Sequence, residues 1–231
     1  MSLSGTHVVV TELPEPPPPS EKLAAMVAHG ERVALRRPGG ELALSLGLFS
    51  IWAALVCVAL GLRADLSALP LVRYLAGGLA WCAVVAYALY IALAPAKGQV
   101  LPSWWAARRV AAFLPLGAAT AALLLLVEAP NHTIQLGGAQ ALSKLVHCWS
   151  LGLGVALVPI AWTVLRSRAR LLVGAAWIGA TIGVAAGALG ALVLHLVCPV
   201  GGALHLIVGH VGALVAGAVL GAVIGDRLAN R

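Results

Sequence analysis

The sequence predicts an all-α polytopic membrane protein, a bundle of six transmembrane helices with both termini in the cytoplasm. Three observations carry that expectation. Hydrophobic residues fill 61% of the 231 positions and charged residues only 10%, against roughly 25% charged in a typical soluble domain. Mean hydropathy is +0.98. The apolar residues also gather into six runs, each near the ~20 residues needed to cross a bilayer. An ordinary soluble enzyme, a disordered scaffold and a collagen-like rod are excluded by this composition. Four cysteines are too few for a disulfide-dense secreted module.

The first two runs cover residues 42–62, closed by Arg63, and 74–94, opened by Arg73. A third spans 110–127, after Arg108 and Arg109, and a fourth 145–165. The last two cover 171–194 and 203–225. All six must be helical, because lipid offers no partner to an unpaired backbone amide. Pro115 and Pro159 fall inside the third and fourth spans, where a missing N–H is expected to kink the helix. The chain thus divides into a tail over 1–41, a membrane domain over 42–225 and a short tail over 226–231.

Lysine and arginine placement sets the orientation. The tail holds Lys22, Arg32, Arg36 and Arg37; the second connection Lys97, Arg108 and Arg109; the fourth Arg166, Arg168 and Arg170; the C-terminus Arg227 and Arg231. These are 12 of the 15 basic residues, so both termini are expected inside a bacterial inner membrane. Topology then explains the net charge of +7 without a direct nucleic-acid partner. The basic patches suit lipid headgroups or a protein partner.

About 40 residues precede the first apolar run, which argues against a cleavable signal peptide. Within them Glu15-Pro16-Pro17-Pro18-Pro19-Ser20 reads as a polyproline spacer. Ser20 can cap a helix over 21–37, whose apolar Leu23, Met26, Val27, Val33 and Ala34 recur at helical spacing. Such a stripe fits a helix lying on the membrane or one offered to a soluble partner.

Gly179, Gly183 and Gly187 on the fifth span, and Gly217, Gly221 and Gly225 on the sixth, recur every four residues. In lipid, helices associate largely through close approach at small residues. A short turn at residues 199–202 joins these spans, so a tight antiparallel hairpin is expected.

Laying the polar residues on this topology collects chemistry at the outer face. His147 and Cys148 open the fourth span, His195 and Cys198 close the fifth, and His205 and His210 begin the sixth, with His132 in the outer loop before the fourth. Thiolate and imidazole are ligands for zinc or copper, which makes Cys148, Cys198 and His195 a candidate metal set. An oxidising compartment equally permits a Cys148–Cys198 disulfide, and interfacial histidines with small buried cysteines need no function at all. Cys57 and Cys82 read as packing residues inside spans, and Glu128 as an interfacial carboxylate. No span carries a charge at mid-depth, as ion-coupled transport requires. With no phosphate loop, nucleophile elbow or paired carboxylates, the chain does not read as an enzyme.

The stretch from His147-Cys148 through Pro159, the hinge Arg166-Ser167-Arg168-Ala169-Arg170 and the Gly/Ala-rich fifth span to His195, Cys198-Pro199, His205 and His210 resembles the NrsF-type membrane anti-sigma factors. Those proteins have six spans, with one cysteine at the start of the fourth and another at the end of the fifth. The resemblance covers about residues 145–225; the first 140 match in topology alone. In the family pattern histidine directly precedes the Cys-Pro pair and an acidic residue follows. Here Leu196 and Val197 intervene and Val200 takes the acidic place.

The resemblance implies a regulator that holds an extracytoplasmic-function RNA polymerase sigma factor at the inner membrane and releases it on an external stress signal, whether redox, metal or light. It implies sensing at Cys148 and Cys198; from their placement, His147, His195 or His205 is expected to assist. The sigma-factor contact would fall on the cytoplasmic face, at Leu23, Met26, Val27, Arg36, Arg37, Arg108, Arg109, Arg166, Arg168 and Arg170. A small-metal or metabolite transporter and a non-signalling membrane subunit are the rival expectations.

Overall fold

The computed structural model describes residues 38–68, 70–93, 138–167, 175–200 and 203–229. The described residues are helical with short connections and contain no strand. The expected third span, Pro115 and the helix over 21–37 lie outside them.

Helix α1 runs Pro38–Leu60. Proline in its first turn costs no hydrogen bond, and Glu41 in the same turn suits the positive end of the helix dipole. It stops at Gly61, whose φ of 79° only glycine adopts freely and whose N–H still reaches the Cys57 carbonyl at 2.9 Å. Helix α2 spans Leu71–Leu93, directly after Pro70. Helix α3 covers Gly138–Ser167, its 30 residues making about 45 Å at 1.5 Å per residue. That is longer than the expected fourth span, because helix continues through the polar turns around Gln140 and Lys144. Helix α4 covers Ala175–Val197, with Pro199 shortly after it. A short helix α5, Ala203–His205, passes into a π-helical turn, Leu206–Val211, and then into α6, Gly212–Ala229.

Five described helical segments are long and apolar enough to cross a membrane. Outward-facing Val58, Leu79 and Val219 are 84%, 68% and 60% exposed, a surface that suits lipid and not water. The core sits along α4, of which 72% is buried, against 22–44% for the other spans. Its faces touch α2, α3 and α6.

The glycine spacing works as expected. A Cβ on Gly183 would strike the Gly217 carbonyl, and one on Gly179 the Gly221 carbonyl. Reciprocally, a Cβ on Gly217 would lie 2.7 Å from the Gly183 oxygen. Steps of four up α4 meet steps of four down α6, so the pair is antiparallel with backbones in contact. A second close approach has no counterpart in the sequence pattern: Gly190 of α4 lies against the Gly152 carbonyl of α3.

Helix α3 continues through Pro159. A helical proline cannot donate to the carbonyl four residues back, here that of Val155. Trp52 of α1 donates its indole Nε1–H to that oxygen at 2.9 Å. In lipid an orphaned carbonyl has no water to turn to, so the proline on α3 and the tryptophan on α1 form one unit.

Candidate functional site

At one end of the bundle three elements deliver sulfur and nitrogen to a single point. Helix α3 supplies Cys148 and the residue after α4 supplies Cys198; both are buried, and their Sγ atoms lie 3.3 Å apart. His205, on α5, brings Nε2 to 3.5 Å from the Cys198 sulfur. The three donor atoms all lie within 4.8 Å of one another. His210 is 1% exposed and stands edge-on to His205 with ring centroids 5.8 Å apart. Gly209 leaves room there: a Cβ on it would meet Cys148 Cβ at 3.8 Å and His205 Nε2 at 3.8 Å.

The Cys198 thiol lies just past the end of α4 and is held below the ordinary thiol range. The hydrogen bond from the Cys148 thiol is the main cause, with His205 and the Val200 backbone adding to it against the opposing effect of burial. Cys198 is therefore the thiolate of the pair and Cys148 its hydrogen-bond donor. A cleft of about 220 Å³ reaches both sulfurs, lined in part by Lys144, His147, Leu151 and Pro199.

The chain matches the family described as negative regulator of sigma F (NrsF) over residues 23–230. It belongs to the NrsF family. No curated protein and no solved structure matches it. Family membership makes this chain a relative of proteins described as negative regulators of a sigma factor.

The sequence grouped Cys148 and Cys198 with His147, His195 and His205, and the structure sorts these residues. His205 joins the sulfurs. His147 is exposed and lines the cleft leading to them. His195 is set apart and is not in the ligand group. It is 2% exposed, its Nε2 lies 3.0 Å from the Tyr74 carbonyl, and its ring stacks on Tyr74 at 5.0 Å and 20°. Its space on α2 exists because Gly77 has no side chain; a Cβ there would sit 2.8 Å from His195 Cε1. Three-residue spacing put His195 and Cys198 on one helical face, but the gap at Gly77 draws the imidazole toward α2. The backbone N–H of Arg63 donates to the Leu196 carbonyl at 3.1 Å, and its side chain pairs with Asp65 at 2.7 and 2.8 Å, clasping the first connection over this end.

Of the expected partner-contact residues, Arg166 alone is described. It lies at the other end of α3, 3.1 Å from the buried carboxylate of Glu41 and with its guanidinium 5.9 Å from the Trp162 ring. Leu23, Met26, Val27, Arg36, Arg37, Arg108, Arg109, Arg168 and Arg170 lie outside the described residues. His210 and Gly77 were missed as site residues. Five-residue spacing from His205 fits no α-helical face, and one glycine in an apolar span carries no signal.

Proposed function

We propose that this chain is an inner-membrane anti-sigma factor that holds an extracytoplasmic-function sigma factor on its cytoplasmic side and releases it on an external stress. The carrying observation is the buried Cys148–Cys198 pair at 3.3 Å, at the opposite end of α3 from the Glu41–Arg166 pair. With both termini cytoplasmic, as the basic residues argue, the thiols face outward. The inner surface then comprises residues 1–41, the connection carrying Arg108 and Arg109, and the Arg166–Arg170 hinge.

The pair suits two-electron chemistry with hydrogen peroxide. The Cys198 thiolate attacks a peroxide oxygen, the O–O bond breaks, and a proton completes the first departing water. The Cys148 thiol then displaces the sulfenic hydroxyl as a second water, closing an S–S bond; two thiols lose two electrons and the peroxide gains them. Closing the bond draws sulfurs 3.3 Å apart to about 2.05 Å, pulling α3 toward the end of α4. Such a shift releases a partner only as far as the partner prefers the other packing.

A Cys148→Ser/Cys198→Ser double variant is expected to keep the sigma-dependent reporter silent under oxidant. Normal induction in that variant removes the sensing role. Co-purification of the sigma factor after deletion of residues 1–41 shows that the tail is not the main contact. Reporter fusions at residues 166–170 that read as external overturn the topology.

A further inference from the structure

From the geometry we infer that Cys148, Cys198, His205 and His210 form a four-coordinate site for a thiolate-binding divalent ion such as Zn(II). The inference deepens the proposed function by naming a ligand of the same site, with His205 and His210 in place of the His195 that the sequence suggested.

Three independent features point to it. The first is spacing. Zn–S bonds of about 2.3 Å and Zn–N bonds of about 2.0 Å at tetrahedral angles put two sulfurs about 3.8 Å apart and sulfur from nitrogen about 3.5 Å. The pairs here stand at 3.3 Å for Cys148–Cys198 and 3.5 Å for Cys198–His205, so sulfurs about half an ångström further apart complete the fit.

The second is His210. It is 1% exposed, and among the described residues neither ring nitrogen has a hydrogen-bond partner. A buried imidazole without a partner is costly, and a metal bond satisfies one of its nitrogens. Its ring stands edge-on to that of His205, with centroids 5.8 Å apart, and so lies beside the thiols.

The third is the backbone. Residues five apart on an α-helix point about 140° from one another. The i→i+5 bonding of a π-helix turns them onto one side, and such turns recur at functional sites. The π-helical turn here is Leu206–Val211, which carries His210 round to the side of His205. A regular α-helix over the same residues would carry His210 away from the thiols.

Charge balance agrees. A divalent ion with two thiolates and two neutral imidazoles sums to zero, the one combination of these groups that can sit buried beside lipid without a counter-ion. Binding forms two metal–sulfur bonds: Cys198 enters as the thiolate it already is, and Cys148 gives up its S–H proton to solvent. Four protein donors leave no open position, which marks a structural or sensing centre and not a catalytic one.

The test uses the reduced full-length protein in detergent, without oxygen, titrated with Co(II) as spectroscopic probe. One equivalent is expected to give sulfur-to-cobalt charge transfer together with the intense visible bands of four-coordinate cobalt, both abolished by Zn(II). Cys148→Ser and Cys198→Ser should each lose about half the charge transfer. His205→Gln and His210→Gln should weaken binding at least about tenfold, with unchanged far-ultraviolet dichroism, and Cys82→Ser should match wild type. On the unsubstituted chain, Zn(II) should protect Cys148 and Cys198 from alkylation and leave Cys57 and Cys82 as reactive as before. Absence of charge transfer, or a His210→Gln protein that binds cobalt as wild type does, overturns the site. No arm needs a sigma factor, so a chain that binds metal but restrains no sigma factor sinks the functional reading alone.

Discussion

Replacing Trp52 by Phe tests whether the tryptophan on α1 repairs the proline on α3. The substitution removes the indole donor now 2.9 Å from the Val155 oxygen and leaves a smaller aromatic ring, a loss of volume common to both arms of the cycle below. Pro159 denies that oxygen its helical donor, so it becomes an orphan in a site that water does not reach. A buried acceptor stripped of its partner costs about 1–3 kcal/mol, while side-chain hydrogen bonds measured within membranes average about 0.6 kcal/mol; we expect the lost donor to cost about 1–2 kcal/mol. Pro159→Ala restores an N–H at residue 159 aimed at the same carbonyl, so the lost donor should then cost under about 0.5 kcal/mol. The coupling in this cycle is about 1 kcal/mol, above the ~0.3–0.5 kcal/mol scatter of independent sites. Unfolding of the four proteins in mixed detergent micelles, followed by helical dichroism, measures it. If Trp52→Phe costs as much in the Pro159→Ala background as in the unsubstituted chain, the tryptophan does not serve that carbonyl and the reasoning fails.

Gly217→Ala places a Cβ 2.7 Å from the Gly183 oxygen and 3.3 Å from Gly187 Cα, both backbone, so α4 and α6 must part by about 0.7 Å and lose about 1–3 kcal/mol. Gly47→Ala, with nothing within 4 Å of its Cβ, should be neutral or stabilising by up to about 1 kcal/mol; equal melting shifts for the two refute the packing argument. Gly77→Ala should push His195 off the Tyr74 carbonyl, read as a melting temperature below that of Gly47→Ala, and a Gly77→Ala protein as stable as wild type counts against the pocket. Glu41→Gln and Arg166→Gln should each lower thermal stability modestly, and the Glu41→Arg/Arg166→Glu exchange should recover part of it; no recovery means the pair contributes nothing as a pair. Because the Cys198 pKa is lowered, its thiolate persists as pH falls. Its alkylation rate, followed by mass spectrometry, should vary little between pH 8 and 6, where a thiol of ordinary pKa near 8.5 slows almost a hundredfold. A hundredfold fall at Cys198 contradicts the assignment of the thiolate.

The helices were legible because length and apolarity alone demand them, and so was the α4–α6 contact, because four-residue glycine spacing on both partners leaves few other packings. Gly190 against Gly152 was not legible, since a single close approach has no period. The lower edge of α3 was placed late, at 145 and not 138, because hydropathy finds the apolar run while hydrogen bonding carries the helix beyond it. At the site, the two cysteines and His205 could be read from topology, which sends the starts of two spans and the end of another to the same face. The turn of His195 toward Tyr74 and the approach of His210 to His205 could not. They depend on an absent side chain at Gly77 and on one extra residue in a helical turn, and neither alters the composition or the polarity pattern of its span.

The route from the thiols to the far end of the bundle is short in physical terms. Cys148 and Arg166 ride on the same helix, α3, eighteen residues and about 27 Å apart. A continuous helix resists compression along its axis, so a sulfur-side displacement must be absorbed by tilt, by rotation or by bending where a rung is missing. Two fixed points limit that freedom: the Gly152–Gly190 backbone contact near Cys148, and the Trp52–Val155 hydrogen bond beyond it. Both lie on the thiol side of Pro159, the position where the helix lacks a rung. Motion forced at Cys148 is thus held between rigid contacts over the first two turns and released at the proline. The segment left to move is the one bearing Trp162 and Arg166, whose partner Glu41 sits at the root of the N-terminal tail.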